Sequence, residues 1–297
     1  MKILVTGFTG LIGSRLVSTL QSKGHEVVGL SRRAEQKQIR TVQWDPMNAK
    51  INTSELEGFE AVVHLAGESI VGRWTPAKKA RIINSRTQGT QLLCETLAQL
   101  KHPPRVLVSA SAIGYYGNRG AEMLREESTP GAGFLAETSV RWEAAASAAV
   151  AKGIRVVHPR IGIVLSTEGG ALAKMLLPFK LGAGGIVGNG EQYWSWIAFE
   201  DVINVLQFAL MTESMRGPVN LVAPHAVTNR DFTKTLGRVL RRPTIFPLPA
   251  FAARLVLGEM ADALLLSSAR VAPAQLVTHG YNFKHAELEG ALRALLR

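Results

Sequence analysis

Gly7, Gly10 and Gly13 stand at Gly-x-x-Gly-x-x-Gly spacing, directly after the apolar run Ile3-Leu4-Val5 and the hydroxyl of Thr6. Glycines in this arrangement can cradle phosphate. Gly7 permits a tight turn, Gly10 lets the backbone approach a pyrophosphate, and Gly13 lets the next element pack on the strand before it. The backbone of Thr9, Gly10, Leu11, Ile12 and Gly13 is then the candidate cofactor contact, with the partial positive charge of a helix N-terminus behind it. The pattern carries that meaning only between a strand and a helix. Both are expected: the apolar run reads as a buried strand, and Leu11, Ile12, Leu16, Val17 and Leu20 recur at helical spacing up to Lys23.

The residues after the second strand choose between dinucleotides. An acidic side chain there meets the ribose 2′-hydroxyl of NAD, whereas basic residues accommodate the 2′-phosphate of NADP. The strand Glu26-Val27-Val28-Gly29-Leu30 is followed by Ser31-Arg32-Arg33, with no carboxylate until Glu35. A hydroxyl and guanidinium forks suit a phosphate dianion, so NADP(H) is the expected cofactor.

These groups need a scaffold. Further strands are expected over 41–45, 61–67, 105–111 and 154–165, with helices over 76–100 and 133–143. Alternating strands and helices imply an α/β fold with a doubly wound parallel sheet, the Rossmann arrangement, and a smaller C-terminal α/β lobe. Residues 1–165 are read as the nucleotide-binding domain. Residues 166–297 complete the sheet and form a substrate lobe, with a small C-terminal segment from about residue 245. Ligands of such sheets lie outside the carboxyl ends of the strands. That places Leu65, Ala66 and Gly67, whose small side chains let the backbone run beneath a dinucleotide, together with Ser109, Ser111 and Ile163, at the crevice. Asp45, before Pro46, is either an adenine contact or a turn initiator. Glu68 is an acid/base group or a polar rim, and His64 is read as an oriented structural residue.

The chain of 297 residues carries 34 Lys and Arg against 23 Asp and Glu, a formal charge of +11. The basic residues are scattered, and no helix-turn-helix or zinc-finger pattern accompanies them, so nucleic acid is not expected as a partner. A solvated basic surface that attracts an anionic cofactor or substrate is the reading adopted. No apolar stretch reaches the roughly 18 to 20 residues of a membrane span, so no membrane partner is expected. The single cysteine, Cys94, sits in a helical pattern as a buried thiol, which fits a reducing cytoplasm.

Thr6 through Gly13, His64-Leu65-Ala66-Gly67, Ser109-Ala110-Ser111 with the double tyrosine Tyr115-Tyr116, Arg141-Trp142-Glu143 and Trp196-Ile197 together resemble the atypical extended short-chain dehydrogenase/reductase proteins of the NAD(P)-dependent epimerase family, SulA-like relatives included. The resemblance implies a Rossmann domain with NADP bound and a small C-terminal lobe. It implies that Ser111, with Ser109 second, holds the substrate oxygen, that Arg86 on the long helix meets phosphate or remains a surface arginine, and that backbone near Ile163 lies beside the nicotinamide. The family's Tyr-x-x-x-Lys pair is missing. If Glu143 takes the place of the glutamate that follows that lysine, Leu135 and Ser139 stand where Tyr and Lys belong. Tyr115, Tyr116, Glu68 and Lys174 are the available substitutes. Two functions follow from the resemblance: an oxidoreductase or epimerase on a nucleotide-sugar-like or small carbonyl compound, and an NADP(H)-binding sensor that acts through partners. No metal site is expected.

Overall fold

The computed structural model describes residues 1–32 and 39–296. The first part of the chain runs β1 (Lys2–Thr6), α1 (Leu11–Ser22), β2 (Glu26–Ser31), β3 (Thr41–Asp45), β4 (Lys50–Ile51), β5 (Ala61–His64) and α2 (Pro76–Gln99). It continues through β6 (Val106–Ser109), β7 (Ser111–Ala112), β8 (Met123–Leu124), α3 (Phe134–Ala144), α4 (Ser147–Ala151) and β9 (Arg155–Ile161).

β5 and β6 are buried at every residue, as expected of central parallel strands covered on both faces. Ile3, Val5, Val63, Val108 and Val157 point to one face of the sheet, where they meet Leu16 and Leu20 of α1. Leu4, Val62, Leu107 and Val156 point to the other, against Leu93 and Leu97 of α2. The long helix α2 starts where its sequence signals a start. Pro76 occupies its first turn and the Thr75 hydroxyl accepts from Lys78 N.

The second part adds β10 (Ile163–Leu165), α5 (Gly170–Lys180), β11 (Tyr193–Trp194), β12 (Trp196–Ala198), α6 (Phe199–Met211), β13 (Gly217–Leu221), β14 (Val227–Thr228), α7 (Asn229–Leu240), α8 (Ala250–Leu257), β15 (Arg270–Val271), α9 (Ala274–Thr278) and α10 (Leu288–Leu296). The main sheet has the order β13-β9-β6-β5-β1-β2-β3-β4, with β7 pairing β9. Its pairs are parallel except β3 with β4. From β1 the chain builds outward through β2 and β3, then returns to the opposite side of β1 with β5. The strand order therefore reverses between β1 and β5, and a crevice opens at their carboxyl ends.

The stretch 154–165, expected as one strand, is two. Gly162 breaks it, because a Cβ there would lie 2.6 Å from Ser195 O. β9 stays in the main sheet, while β10 leaves it to pair with β12. Trp194 and Trp196 are buried with Phe232, Leu236 and Leu292 in the core of this second layer, so these aromatics pack the lobe. Asp201 stands in the first turn of α6, which has no side-chain cap. It accepts from Tyr281 Oη at 2.8 Å and from Lys284 N and His285 N at 2.9 and 3.0 Å, which fastens the C-terminal tail onto α6.

Candidate functional site

The glycine turn is built as its spacing requires. Gly7 has φ +68, and a Cβ on it would fall 2.7 Å from the carbonyl carbon of Leu65. A Cβ on Gly13 would fall 2.2 Å from Gly7 O, so α1 can rest on the turn only through glycine. Helix α1 begins with no side-chain cap and no acidic residue in its first turn. Its N–H groups at Leu11, Ile12 and Gly13 therefore meet the crevice as a ready anion site, beside the exposed Thr9 and Gly10.

A chain of hydrogen bonds stiffens the floor of the crevice. Thr6 Oγ1 accepts from Leu65 N at 3.1 Å and Ala66 N at 3.0 Å, which leaves its own proton for His64 Nδ1 at 2.7 Å. His64 Nε2 then carries the ring proton and donates to Thr90 Oγ1 at 3.0 Å, where Trp142 Nε1 also donates. Burial pushes the imidazole down to about 4, so it stays neutral. His64 is the structural residue expected, and it ties β1, β5, α2 and α3 at one point.

The exit of β5 carries Leu65, Ala66, Gly67 and Glu68. The backbone N–H groups of Leu65 and Ala66 are spent on Thr6, so these residues present surface rather than donors. Gly67 lies against Arg86, whose guanidinium carbon would be 3.4 Å from a Cβ there. Arg86 Nη1 donates to the carbonyls of Glu68 at 3.0 Å and Ile82 at 3.2 Å, and the group stacks 4.9 Å from the Trp142 ring. Burial lowers its pKa to about 10. Arg86 is thus more than a plain surface arginine, since it braces the crevice wall through Nη1. Glu68 accepts from Lys78 Nζ at 2.7 Å, with Arg81 Nε at 3.6 Å, and the Lys78 hydrogen bond holds its carboxyl below the usual range. An ionised, paired carboxylate is a poor general acid.

The catalytic candidates converge on a cluster the sequence did not announce. Ser111 Oγ donates to Glu143 Oε1 at 2.6 Å, and Arg160 closes on both oxygens of that carboxylate at 2.8 Å. Arg160 Nη1 also donates to Tyr116 Oη at 2.9 Å, and Tyr116 donates in turn to Asn220 Oδ1 at 2.7 Å. The face of Tyr115 lies 3.4 Å from the Arg160 guanidinium carbon. Burial works against the Arg160 charge, but the Glu143 hydrogen bonds outweigh it and hold its pKa above its ordinary value. Tyr116 is wholly buried and its phenol is pushed up to about 12, so it is a poor base near neutral pH. Ser111 is 2% exposed and its proton already belongs to Glu143. Its oxygen faces any further group as an acceptor, not as the donor that polarising a carbonyl requires.

Ser109 is buried with its hydroxyl unpartnered, and pairs with His64 on the neighbouring strand β5. Ser139, in the lysine position of the resembling motif, bonds its own helix at Leu135 O, 2.9 Å away, and Leu135 packs against Gly114. Lys174 lies exposed on α5. Ile163 N donates to Ser195 O at 2.9 Å, so its amide is spent on the lobe junction. Asp45 resolves as a turn residue. Oδ1 accepts from Met47 N and Asn48 N and Oδ2 from the Asn48 amide at 2.6 Å, which holds its carboxyl below the usual range. Ser31 ends β2 and Arg32 is exposed just past it, while Arg33 lies outside the described residues. No cluster of His, Cys, Asp and Glu able to hold a metal occurs among the described residues. No helix among them is long and apolar enough to cross a membrane.

Arg160 and Asn220 escaped sequence reasoning, as did the role of Glu143 as the carboxylate partner of Arg160 and that of Glu126, whose carbonyl accepts from Arg160 Nη1 at 3.2 Å and whose Oε1 accepts from Asn220 N at 3.0 Å. The available signal was Arg160 itself, a charge inside the strand Val156-Val157-His158-Pro159-Arg160-Ile161, which folds only if a partner meets it.

Comparison with known proteins is consistent with this geometry. Residues 3–221 match the NAD dependent epimerase/dehydratase family, and residues 248–295 match a domain of unknown function, DUF1731. Epimerase family protein Mb2239 of Mycobacterium bovis is 39% identical over 291 residues, covering 98% of this chain and 96% of that protein. Epimerase family protein YfhF of Bacillus subtilis is 38% identical, covering 100% and 98%. The crystal structure of human epimerase family protein SDR39U1 (isoform 2) with NADPH superposes with a TM-score of 0.90 at 34% identity, covering 99% of each chain. With a doubly wound sheet, a glycine cradle at its switch point and similarity along its whole length, the chain belongs to the NAD-dependent epimerase/dehydratase family, in the atypical short-chain dehydrogenase/reductase branch typified by SDR39U1.

Proposed function

We propose that the protein binds NADP(H) in the crevice between β1 and β5 and works as an epimerase-family oxidoreductase or epimerase on a nucleotide-sugar-like or small carbonyl compound. The observation that carries the binding step is the cradle. Gly7 and Gly13 leave no room for a Cβ, and the uncapped start of α1 offers N–H donors to a pyrophosphate. Arg32, exposed just past Ser31 at the end of β2 with no carboxylate in the sequence before Glu35, suits the 2′-phosphate. The NADPH in the human relative supports the same choice. When bound, the nicotinamide would supply or remove hydride at a substrate carbon. Leu65 to Gly67 would form the surface beneath it, braced by Thr6, His64 and Arg86. Ser111 would accept a hydrogen bond from a substrate hydroxyl, with Glu143 taking up the serine proton as the hydroxyl is oxidised. Residues 1–165 would carry the cofactor and residues 166–297 the substrate side.

A second reading, an NADP(H)-binding sensor without turnover, is favoured by one observation: Leu135, Ser139 and the sealed Tyr116 leave no phenol–lysine pair at the crevice. Fluorescence titration with NADPH and NADH tests the binding step, and equal affinities would sink the NADP(H) assignment. Absorbance at 340 nm across alcohols, carbonyl compounds and nucleotide sugars then separates the readings. Turnover abolished in Ser111→Ala supports the enzyme. Tight NADPH binding with no turnover on any of them supports the sensor. The basic surface is read as serving anionic small molecules rather than nucleic acid, and the single buried Cys94, its thiol pushed up to about 12 by burial, fits a reducing cytoplasmic setting.

A further inference from the structure

The C-terminal lobe carries apolar side chains that no element among the described residues covers. Leu177 and Leu181 at the end of α5, Phe246 in the segment before α8, and Phe251, Leu255 and Val256 on α8 are between 60% and 86% exposed. The segments that carry them are joined through hydrogen bonds to their backbones. Arg242 Nε donates to Lys180 O at 2.8 Å, and Leu248 N donates to Ile186 O at 2.8 Å, so the end of α5, the loop after it and the segment entering α8 are laced together. Monomeric proteins rarely leave so many large apolar side chains together in water.

Charge says what kind of surface would cover this face. Residues 170–190 and 241–258 contain no Asp or Glu, yet they hold Lys174, Lys180, Arg241, Arg242 and Arg254. Lys174, Lys180 and Arg241 make no side-chain ion pair among the described residues, and only Arg254 is neutralised, by Asp262. The next acidic residue along the chain, Glu259, is bound to Lys79. A second copy docking through the same patch would bring these cations against themselves, since a two-fold interface places each patch on its own image. Nucleic acid would answer the charge but not the leucines and phenylalanines. Apolar side chains rimmed by lysine and arginine, with the adjoining carboxylates Glu259 and Asp262 already paired, match the boundary of an anionic bilayer, where the apolar groups enter and the cations meet headgroups.

We propose that this face, formed by the end of α5, residues 241–249 and α8, docks the protein on anionic lipid surfaces as a peripheral protein. This revises the expectation of no membrane partner, which rested on the lack of a span. It is independent of any turnover at the crevice.

The test is flotation of the full chain with phosphatidylglycerol/phosphatidylcholine vesicles and with pure phosphatidylcholine vesicles. The protein should float with the anionic vesicles, at least tenfold more than with neutral ones, and detach at high salt. The double variant Phe251→Ser with Leu255→Ser should abolish flotation. Lys180→Gln with Arg241→Asn, the asparagine chosen because Arg241 has φ +54, should weaken it roughly tenfold or more. An unchanged thermal midpoint and NADPH affinity in both variants certify the fold. Absence of flotation, or flotation unaffected by both variants, overturns the proposal. So does concentration-dependent dimerisation in sedimentation that the apolar variant removes without any lipid binding, which would assign the face to a second copy.

Discussion

Ser111 and Glu143 share a 2.6 Å hydrogen bond across the carboxyl end of the sheet, with the serine as donor. That bond converts the family's substrate-facing serine into one arm of a buried ion-pair network. Glu143 serves the serine with one oxygen while Arg160, 3% exposed, holds both. Removing one member of such a pair leaves the other buried and uncompensated, which costs about 3–5 kcal/mol. Arg160→Ala and Glu143→Ala should therefore each destabilise the protein by that order in urea unfolding. Ser111→Ala, which removes one charge-assisted bond, should cost only about 1.5–3 kcal/mol. A loss below about 1 kcal/mol in both larger variants would show that the network does not hold the fold.

Tyr116→Phe separates packing from chemistry. The phenol bridges Arg160 and Asn220 in the core, so its loss should lower stability by about 1–3 kcal/mol. Because that phenol is pushed up to about 12, the pH profile of any turnover between pH 6 and 9 should keep its shape. A profile that changes shape would return Tyr116 to the reacting groups.

The glycines of the turn and of the last helix should respond in opposite directions. Gly13→Ala forces a Cβ to within 2.2 Å of Gly7 O, so NADPH affinity and thermal midpoint should both fall. Gly290, inside α10 with nothing within 4 Å of an added Cβ, should accept alanine with a gain of about 0.5–1 kcal/mol. Differential scanning fluorimetry with and without NADPH reads both.

His64 makes stability depend on pH with a defined sign. Its folded pKa is depressed to about 4 from an ordinary 6.5, so the unfolded chain binds the proton first. The contribution is complete above about pH 6.5, and it is lost progressively as pH falls toward 4. The full loss is on the order of 3 kcal/mol. His64→Gln should lower stability at pH 7 and flatten this slope in urea titrations at stepped pH. An equal slope in the variant would mean that other groups carry the acid sensitivity.

Arg32 should set cofactor preference. A guanidinium on the 2′-phosphate contributes a charge-assisted hydrogen bond, so Arg32→Ala should weaken NADPH by roughly tenfold or more and leave NADH nearly unchanged. Fluorescence titration of both cofactors against both proteins measures the ratio.

The glycine turn, the doubly wound sheet and the small C-terminal lobe were legible because they rest on local rules. Spacing of glycine, apolar runs in central strands and helical periodicity act within a few residues, and the sequence carries them without help from distant segments. The same locality made the loss of the Tyr-x-x-x-Lys pair visible at Leu135 and Ser139. What the chain does with its polar core was decided by tertiary structure. Glu143 and Arg160 lie on different elements, as do Tyr116 and Asn220, and only sheet registration brings them within hydrogen-bond reach. The turn bonds of Asp45 and the bracing contacts of Arg86 likewise depend on neighbours that only the folded chain supplies. Side-chain type states which bonds a residue can make. The partners that take those bonds are fixed by burial and distance, and those arise only when the whole chain has folded.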